Sequence, residues 1–114
     1  MANTGLLKQI GLLNTSIATN FGSYDYQPTT VDEARNAVAA NGLTSHIGHE
    51  ATAVVMSTLL GVDVPMSRAP YSQNVGDVAL VLKMRGRIPE GKIITDVDEL
   101  NAIGYDLGFL TRTA

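Results

Sequence analysis

Continuous apolar runs alternate along the chain with segments whose apolar residues recur at helical spacing. The runs at residues 6–13 and 78–84 predict strands. The second run is almost entirely apolar, which is typical of a central strand covered on both faces. Shorter strands are expected at residues 43–47 and 93–94, and a closing strand is expected at residues 107–111.

Helix signals separate these runs. Thr30 and Glu33 match a capping box, which predicts a first helix over residues 31–40 that stops at Asn41 and Gly42. Two adjacent rows of apolar positions predict a second helix over residues 49–60, ended by Gly61. A third, short helix is expected to open at residues 95–98 and to end near Ile103.

Residues 16–28 are interpreted as a polar loop or a small hairpin. Tyr24 and Tyr26 lie within this segment. Tyrosines in such a place either stack on nucleobases or cover the edge of a core, and the residues themselves leave both options open.

Mixed strands and helices in a chain of 114 residues predict a single small α+β (mixed α/β) domain with a central mixed sheet flanked by helices. The domain is expected to span residues 1–114, with its core at about 8–112. The composition is 45 % apolar and 17 % charged, which is typical of a globular protein. The chain has no cysteine, which excludes disulfides and thiolate metal sites.

The net charge of −3 argues against binding a long nucleic acid. Five cations against two acids between Arg68 and Lys92 still favour a local site for a small anion. No apolar window is long enough to span a bilayer, and no signal peptide is recognisable at the amino terminus. We therefore expect no membrane partner and a cytoplasmic location.

Gly48 and His49 fall where the second helix is predicted to begin. The first backbone N–H groups of a helix lack internal partners and readily hold a phosphate. A histidine at that point could transfer a proton to or from a phosphoester oxygen. The alternative is an ordinary surface histidine near a helix cap.

His46 forms a His-x-x-His pair with His49, but no third ligand lies at a recognisable spacing, so no metal is expected. Residues 85–92 (RGRIPEGK) combine arginines with glycines, which suits phosphate binding as well as it suits a solvated turn. Arg68 by itself is a lone surface arginine. Asn14 and Ser16 offer an amide and a hydroxyl to a ligand, or simply satisfy a turn.

Taken together, these stretches resemble the viral-type ring nucleases, a family of small proteins of archaeal viruses, phages and mobile elements that includes type III anti-CRISPR enzymes. The resemblance rests mainly on residues 47–53 (IGHEATA) and 87–92 (RIPEGK). Residues 12–15 (LLNT), 59–61 (LLG), 64–65 (VP) and 67–68 (SR) extend it over nearly the whole chain.

The resemblance implies a homodimer that cleaves cyclic tetra-adenylate without metal or cofactor and so switches off type III CRISPR signalling. The products are linear di-adenylates with a 2′,3′-cyclic phosphate. His49 matches the family's catalytic histidine and Glu90 its glutamate, while Arg68 and Arg87 match its binding arginines. The nucleophile belongs to the substrate, so the chain needs no serine or cysteine nucleophile.

Asn14, Ser16 and Gly48 complete the expected substrate-binding set. His46 stands where the family leads us to expect a small or apolar residue, so no role is carried over to it, and Arg85 is not clearly a family position. The competing hypothesis is a non-catalytic viral or mobile-element module that binds a cyclic nucleotide or a protein partner. The presence of both His49 and Glu90 favours the enzyme.

Overall fold

The computed structural model describes residues 10–13, 20–86 and 96–114. These residues form five strands and three helices. In chain order the elements are β1 (Ile10–Leu13), β2 (Tyr24–Pro28), α1 (Val31–Asn41), β3 (Leu43–Ser45), α2 (Glu50–Leu60), β4 (Val78–Met84), α3 (Val97–Ile103) and β5 (Tyr105–Arg112).

The five strands make one mixed sheet in the order β2-β5-β4-β1-β3. β1 lies between β3 and β4 and runs parallel to both, whereas β5 is antiparallel to β4 and to β2. The predicted α+β class with a mixed sheet is therefore confirmed. β4 is the middle strand, and its four residues from Ala79 to Leu82 are buried, as the continuous apolar run predicts.

Alternation along the strands divides the core into two clusters. On one face, Leu12, Leu80 and Leu82 pack with buried residues of all three helices. On the other face, Leu13, Ala79, Val81 and Leu110 form a smaller cluster bordered by Tyr24 and Tyr71. The described helices thus pack on a single face of the sheet, and Tyr24 of β2 and Tyr71 of the segment between α2 and β4 pack against the cluster on the other.

The predicted helices are confirmed within one or two residues at their ends. The Thr30 Oγ1 accepts a hydrogen bond from the Glu33 N–H at 3.1 Å and caps α1. The Asp96 side chain caps α3 by accepting from the Asp98 N–H at 2.9 Å. Gly42 and Gly61 end α1 and α2 with positive φ angles of 77° and 70°, which a glycine adopts without steric cost.

The loop interpretation of residues 16–28 is wrong for its second half. Residues 24–28 form β2, which pairs along its whole length with β5 rather than within a local hairpin. Tyr26 lies over Gly108 on β5, where a Cβ atom would approach the tyrosine ring to 2.6 Å. β2 is an exposed edge strand, so it lacks the apolar alternation by which a half-buried strand is recognised.

Other boundaries shift slightly. The strand expected at residues 43–47 ends at Ser45, and the closing strand extends over residues 105–112. The predicted strand at residues 93–94 and the first part of the predicted run at 6–13 lie outside the described residues. The longest helices in the described ranges have 11 residues, and none of those helices is long and apolar enough to cross a membrane.

Candidate phosphate-binding site at the start of helix α2

The parallel arrangement of β3, β1 and β4 brings their carboxyl ends to the same edge of the sheet. In open sheets of this kind, ligands bind in the crevice outside that edge. α2 starts there, separated from the end of β3 by the four residues 46–49. Residues 46–49 make the turn from strand to helix, and they include both histidines of the chain.

His49 is the N-cap residue of α2. Its backbone is extended (φ −124°, ψ 128°), and its side chain makes no capping hydrogen bond. The ring is exposed and has no hydrogen bond to any part of the chain that the structure describes. α1 and α3, by contrast, have Thr30 and Asp96 as capping side chains. The first N–H groups of α2 are therefore not occupied by the side chain at its N-cap, as the expected phosphate site requires.

Arg68 is brought to this turn by a segment that runs back along it. Three hydrogen bonds join residues 46–48 to residues 67–69, which we call the arginine strap. The Ser67 N–H donates to the Ile47 carbonyl at 2.9 Å, and the Arg68 Nε donates to the Gly48 carbonyl at 3.2 Å. The His46 ring provides the third bond through Nδ1, which donates to the Ala69 carbonyl at 2.9 Å.

The guanidinium of Arg68 is exposed, and among the described residues no carboxylate pairs with it. Its two terminal nitrogens are left for an incoming anion, and the Nε bond holds the side chain against Gly48. A Cβ at Gly48 would lie 3.4 Å from the Arg68 Cγ, so the arginine stem packs on the glycine itself. Gly48, His49 and Arg68, three of the predicted site residues, therefore belong to one surface.

His46 has a different environment from His49. Besides its bond to Ala69, its ring packs on Tyr71 with a centroid distance of 4.9 Å and an interplanar angle of 51°. The His-x-x-His spacing drew attention to this residue for a metal, whereas the structure gives it a partner in the protein. Across the described ranges, no group of three His, Cys, Asp or Glu side chains comes together as a metal site would require.

Four predicted site residues, Asn14, Ser16, Arg87 and Glu90, lie outside the described residues. Leu13, the last residue of β1, pairs with Val81 of β4, and Leu12 pairs with Ser45, the last residue of β3. The proximity of Glu90 to His49 stays a prediction.

The remaining candidates have structural partners. The Tyr24 hydroxyl donates to the Asn20 carbonyl at 2.7 Å, and the ring borders the smaller core cluster, which agrees with a covering role. Arg85 forms an exposed ion pair with Asp106 at 2.6 Å. The hydrogen bond from Arg85 lowers the pKa of the Asp106 carboxyl, although burial opposes it.

A groove of about 600 Å³ lies elsewhere, where β2 leaves the edge of β5. It is lined by Tyr26, Lys83, Arg85 and Tyr105, among others, and by none of the predicted site residues. We place the candidate site at the start of α2 and not in this groove, because His49 and Arg68 are at α2 and, within the described residues, the His49 ring and the terminal guanidinium nitrogens of Arg68 have no hydrogen-bond partner.

The fold and this edge define a small α+β protein with a polar site at the carboxyl end of parallel strands. A family model described as STIV B116-like matches residues 10–107, and the chain belongs to that family.

Relatives of this chain occur in viruses and in a bacterium. ORF117 of Acidianus two-tailed virus is 35 % identical over 106 residues, which cover 89 % of this chain and 91 % of the viral protein. YddF of Bacillus subtilis is 28 % identical over 106 residues, which cover 91 % and 97 % of the two chains. These matches confirm the expectation of a family with viral members. The ring-nuclease activity expected from the sequence stays a prediction.

The structure of B116 of Sulfolobus turreted icosahedral virus superposes with a TM-score of 0.73. The alignment covers 91 % of this chain and 99 % of B116 at 19 % identity. At 19 % identity this similarity shows a shared fold alone.

Proposed function

We propose that the protein is a ring nuclease that cleaves cyclic tetra-adenylate and thereby silences type III CRISPR signalling. The observation that carries the proposal is the presence at the start of α2 of an exposed His49 ring, which does not cap the helix, and of an exposed Arg68 guanidinium, neither of which has a carboxylate partner among the described residues. A purely structural turn has no need of a free imidazole at an N-cap position, where serine, threonine, aspartate or asparagine stabilise a helix better.

The reaction uses a nucleophile of the substrate. A ribose 2′-oxygen attacks the adjacent phosphorus and gives its proton to water, while the bond from phosphorus to the 5′-oxygen breaks. His49 donates a proton to the departing 5′-oxygen, and a 2′,3′-cyclic phosphate remains. Such proton transfer accelerates a reaction by about 10²–10⁴. Holding the 2′-oxygen in line with the leaving group supplies the rest.

Arg68 and the first N–H groups of α2 bind the non-bridging phosphate oxygens, whose negative charge grows as the 2′-oxygen attacks. The resemblance adds Arg87, Asn14 and Ser16 as further contacts and Glu90 as the group that orients the charged form of His49. Neither metal nor cofactor takes part in the proposed reaction.

The active form is a homodimer in the cytoplasm of the host cell. A two-fold symmetric pair suits a ring of four repeating units, because two copies of His49 can face opposite phosphates. Two cuts at opposite phosphates then release two linear di-adenylates.

The test is to mix the protein with equimolar cyclic tetra-adenylate in excess EDTA and to follow the products by chromatography. We expect linear di-adenylate with a 2′,3′-cyclic phosphate. If the ring stays intact, the nuclease proposal is wrong; tight retention of the intact ring would then favour the non-catalytic binding module.

The matched variant is His49→Ala. We expect it to bind the ring as tightly as the wild type and to cleave it about 10²–10⁴ times more slowly, because only the proton donor is lost. Binding of the intact ring and thermal unfolding, measured on the same samples, serve as controls. Normal cleavage by this variant would show that another group is the acid.

A further inference from the structure

Two contacts of the His46 side chain connect residues 46–48 with the segment that follows Arg68. The His46 Nδ1 bonds to the Ala69 carbonyl at 2.9 Å, one residue beyond Arg68. The same ring also packs on Tyr71, two residues further on. His46 therefore fixes the chain immediately after Arg68, whereas the Ser67 N–H bond to Ile47 fixes it immediately before.

Tyr71 transmits this anchor to the sheet. Its ring lies on Gly11 of β1, where a Cβ atom would be 2.7 Å from the nearest ring carbon, so only glycine leaves room for it. Burial raises the pKa of the Tyr71 phenol to about 12, and the charges of Asp77 and Tyr24 add to the shift. The ring is therefore neutral at physiological pH and packs as an aromatic body between His46 and the strand.

The chemistry of the His46 bond is defined by its acceptor. A backbone carbonyl can only accept, so Nδ1 carries the hydrogen and donates it. Both the neutral Nδ1–H tautomer and the charged ring make this bond. His49, by contrast, has no hydrogen-bond partner among the described residues that would restrict its ring to one role.

The Arg68 side chain is fixed by few interactions of its own. Its side chain is exposed and has one hydrogen bond within the described residues, through Nε. Ordering a long, exposed side chain and its backbone at the moment of binding costs affinity, and anchoring them beforehand removes part of that cost.

We propose that His46 is a positioning residue, which acts through the Ala69 carbonyl and Tyr71 to hold the Arg68 guanidinium beside the start of α2 for the phosphate. This inference rests on the proposed function, since it assigns Arg68 an anionic ligand. His46 itself touches neither the phosphate nor the reacting atoms, so it governs how tightly the ring binds and not how fast the bound ring is cut.

The experiment compares three substitutions with the wild type in the cyclic tetra-adenylate assay. His46→Ala should raise KM about fivefold, the equivalent of one hydrogen bond, and leave kcat within about twofold. His46→Asn should recover most of the loss in KM, because its Nδ2 lies two bonds from Cβ, as Nδ1 does in histidine, and can donate to the Ala69 carbonyl, although the ring contact with Tyr71 is not restored. His46→Gln places its amide one carbon further out and should not restore KM.

A double mutant separates action through Arg68 from a general effect. In the Arg68→Ala background, His46→Ala should change KM no further, because the group that it positions is gone. Additive effects of the two substitutions would overturn the proposal. So would a fall in kcat at constant KM that matches a loss of folded protein, since that is the signature of a merely structural residue.

Amide hydrogen exchange tests the anchor without any ligand. His46→Ala should speed exchange of the Ser67 N–H, which is bonded to the Ile47 carbonyl, and His46→Asn should slow it again. Unchanged exchange in His46→Ala would overturn the anchoring itself. If exchange responds as expected but the wild type does not bind the ring, the proposed function fails, and the role of His46 in ligand binding fails with it.

Discussion

Each end of α2 has an arginine whose Nε donates to a backbone carbonyl, but the two ends differ in how the helix is capped. At the carboxyl end, Gly61 adopts the left-handed conformation (φ 70°, ψ 20°), and the Arg35 Nε donates to the Leu59 carbonyl at 2.7 Å. At the amino end, His49 provides no side-chain cap, and the Arg68 Nε donates to the Gly48 carbonyl at 3.2 Å, its one hydrogen bond within the described residues.

The difference shows where the helix obtains its stability. Val55, Met56 and Leu59 are fully or almost fully buried against the sheet, and the carboxyl end is closed by Gly61 and Arg35. These contacts hold the helix in place without a cap at its amino end. The positive end of the helix dipole can therefore remain available to an anion.

The largest expected effect distinguishes the two arginines. Arg68→Ala should weaken binding of cyclic tetra-adenylate about 10- to 100-fold, the range for a lost hydrogen bond to a charged group. Arg35→Ala removes the corresponding bond at the carboxyl end and should lower the thermal unfolding midpoint without changing affinity. Calorimetric titration of both variants checks this. If both lose affinity equally, the loss comes from a loosened helix and not from a phosphate contact.

The next effect compares two glycines at the two ends. Gly61→Ala should cost about 1–2 kcal/mol of unfolding free energy, because a side chain disfavours the left-handed conformation. Nothing lies within 4 Å of the added Cβ, so this cost is purely conformational. Gly48 has no positive φ, so Gly48→Ala should cost less than about 0.5 kcal/mol.

Ligand affinity should change little in these two variants. The Cβ of Gly48→Ala would lie 3.4 Å from the Arg68 Cγ, an ordinary van der Waals contact, and the Cβ of Gly61→Ala meets nothing within 4 Å, so both proteins should bind the ring about as tightly as the wild type. Urea unfolding and ring binding, measured side by side, give both quantities. Weaker binding by Gly61→Ala would mean that the two ends of the helix are coupled.

The smallest expected effect is a gain in stability. His49→Ser provides a hydroxyl that can accept from the N–H groups of the first turn, and it should raise the unfolding free energy by about 0.5–1 kcal/mol. The same variant should cleave no faster than His49→Ala. Thr30→Ala, which deletes the cap of α1, is the matched control and should lower stability by about 1 kcal/mol. A destabilised His49→Ser protein would show that His49 already supports the helix.

Local signals explain why most of the fold could be predicted. Two capping residues, Thr30 and Asp96, mark the starts of α1 and α3, and a glycine marks the end of both α1 and α2. The run at β4 has the continuous apolar character of a central strand. The sequence does not predict β2, because this strand is stabilised by pairing with β5 and carries no apolar pattern of its own. Its residues are mostly exposed, and they become a strand only by pairing with β5, some eighty residues further along the chain.

The candidate site likewise has features that the local sequence predicts and contacts that it does not. His49 could be placed at a helix start from local pattern alone, and its lack of a capping bond could not. The contact of Arg68 with Gly48 spans 20 residues, and the bond from His46 to Ala69 spans 23. Neither follows from spacing, because both depend on how the chain returns from α2 to the edge of the sheet. The sequence singles out His46 by its spacing from His49, which predicts no metal site without a third ligand, and by its departure from the family pattern, and neither feature predicts the bond to Ala69.

The placement of β1 between β3 and β4 has a consequence for the synthesis of the protein. Gly11 of β1 pairs with Thr44 on one side and with Ala79 on the other. β1 therefore leaves the ribosome before either neighbour, and its pairing on the β4 side cannot form until β4 has been translated. The sheet edge where α2 begins is complete only when β4 has paired with β1, so the proposed ligand site cannot form before most of the chain has emerged from the ribosome.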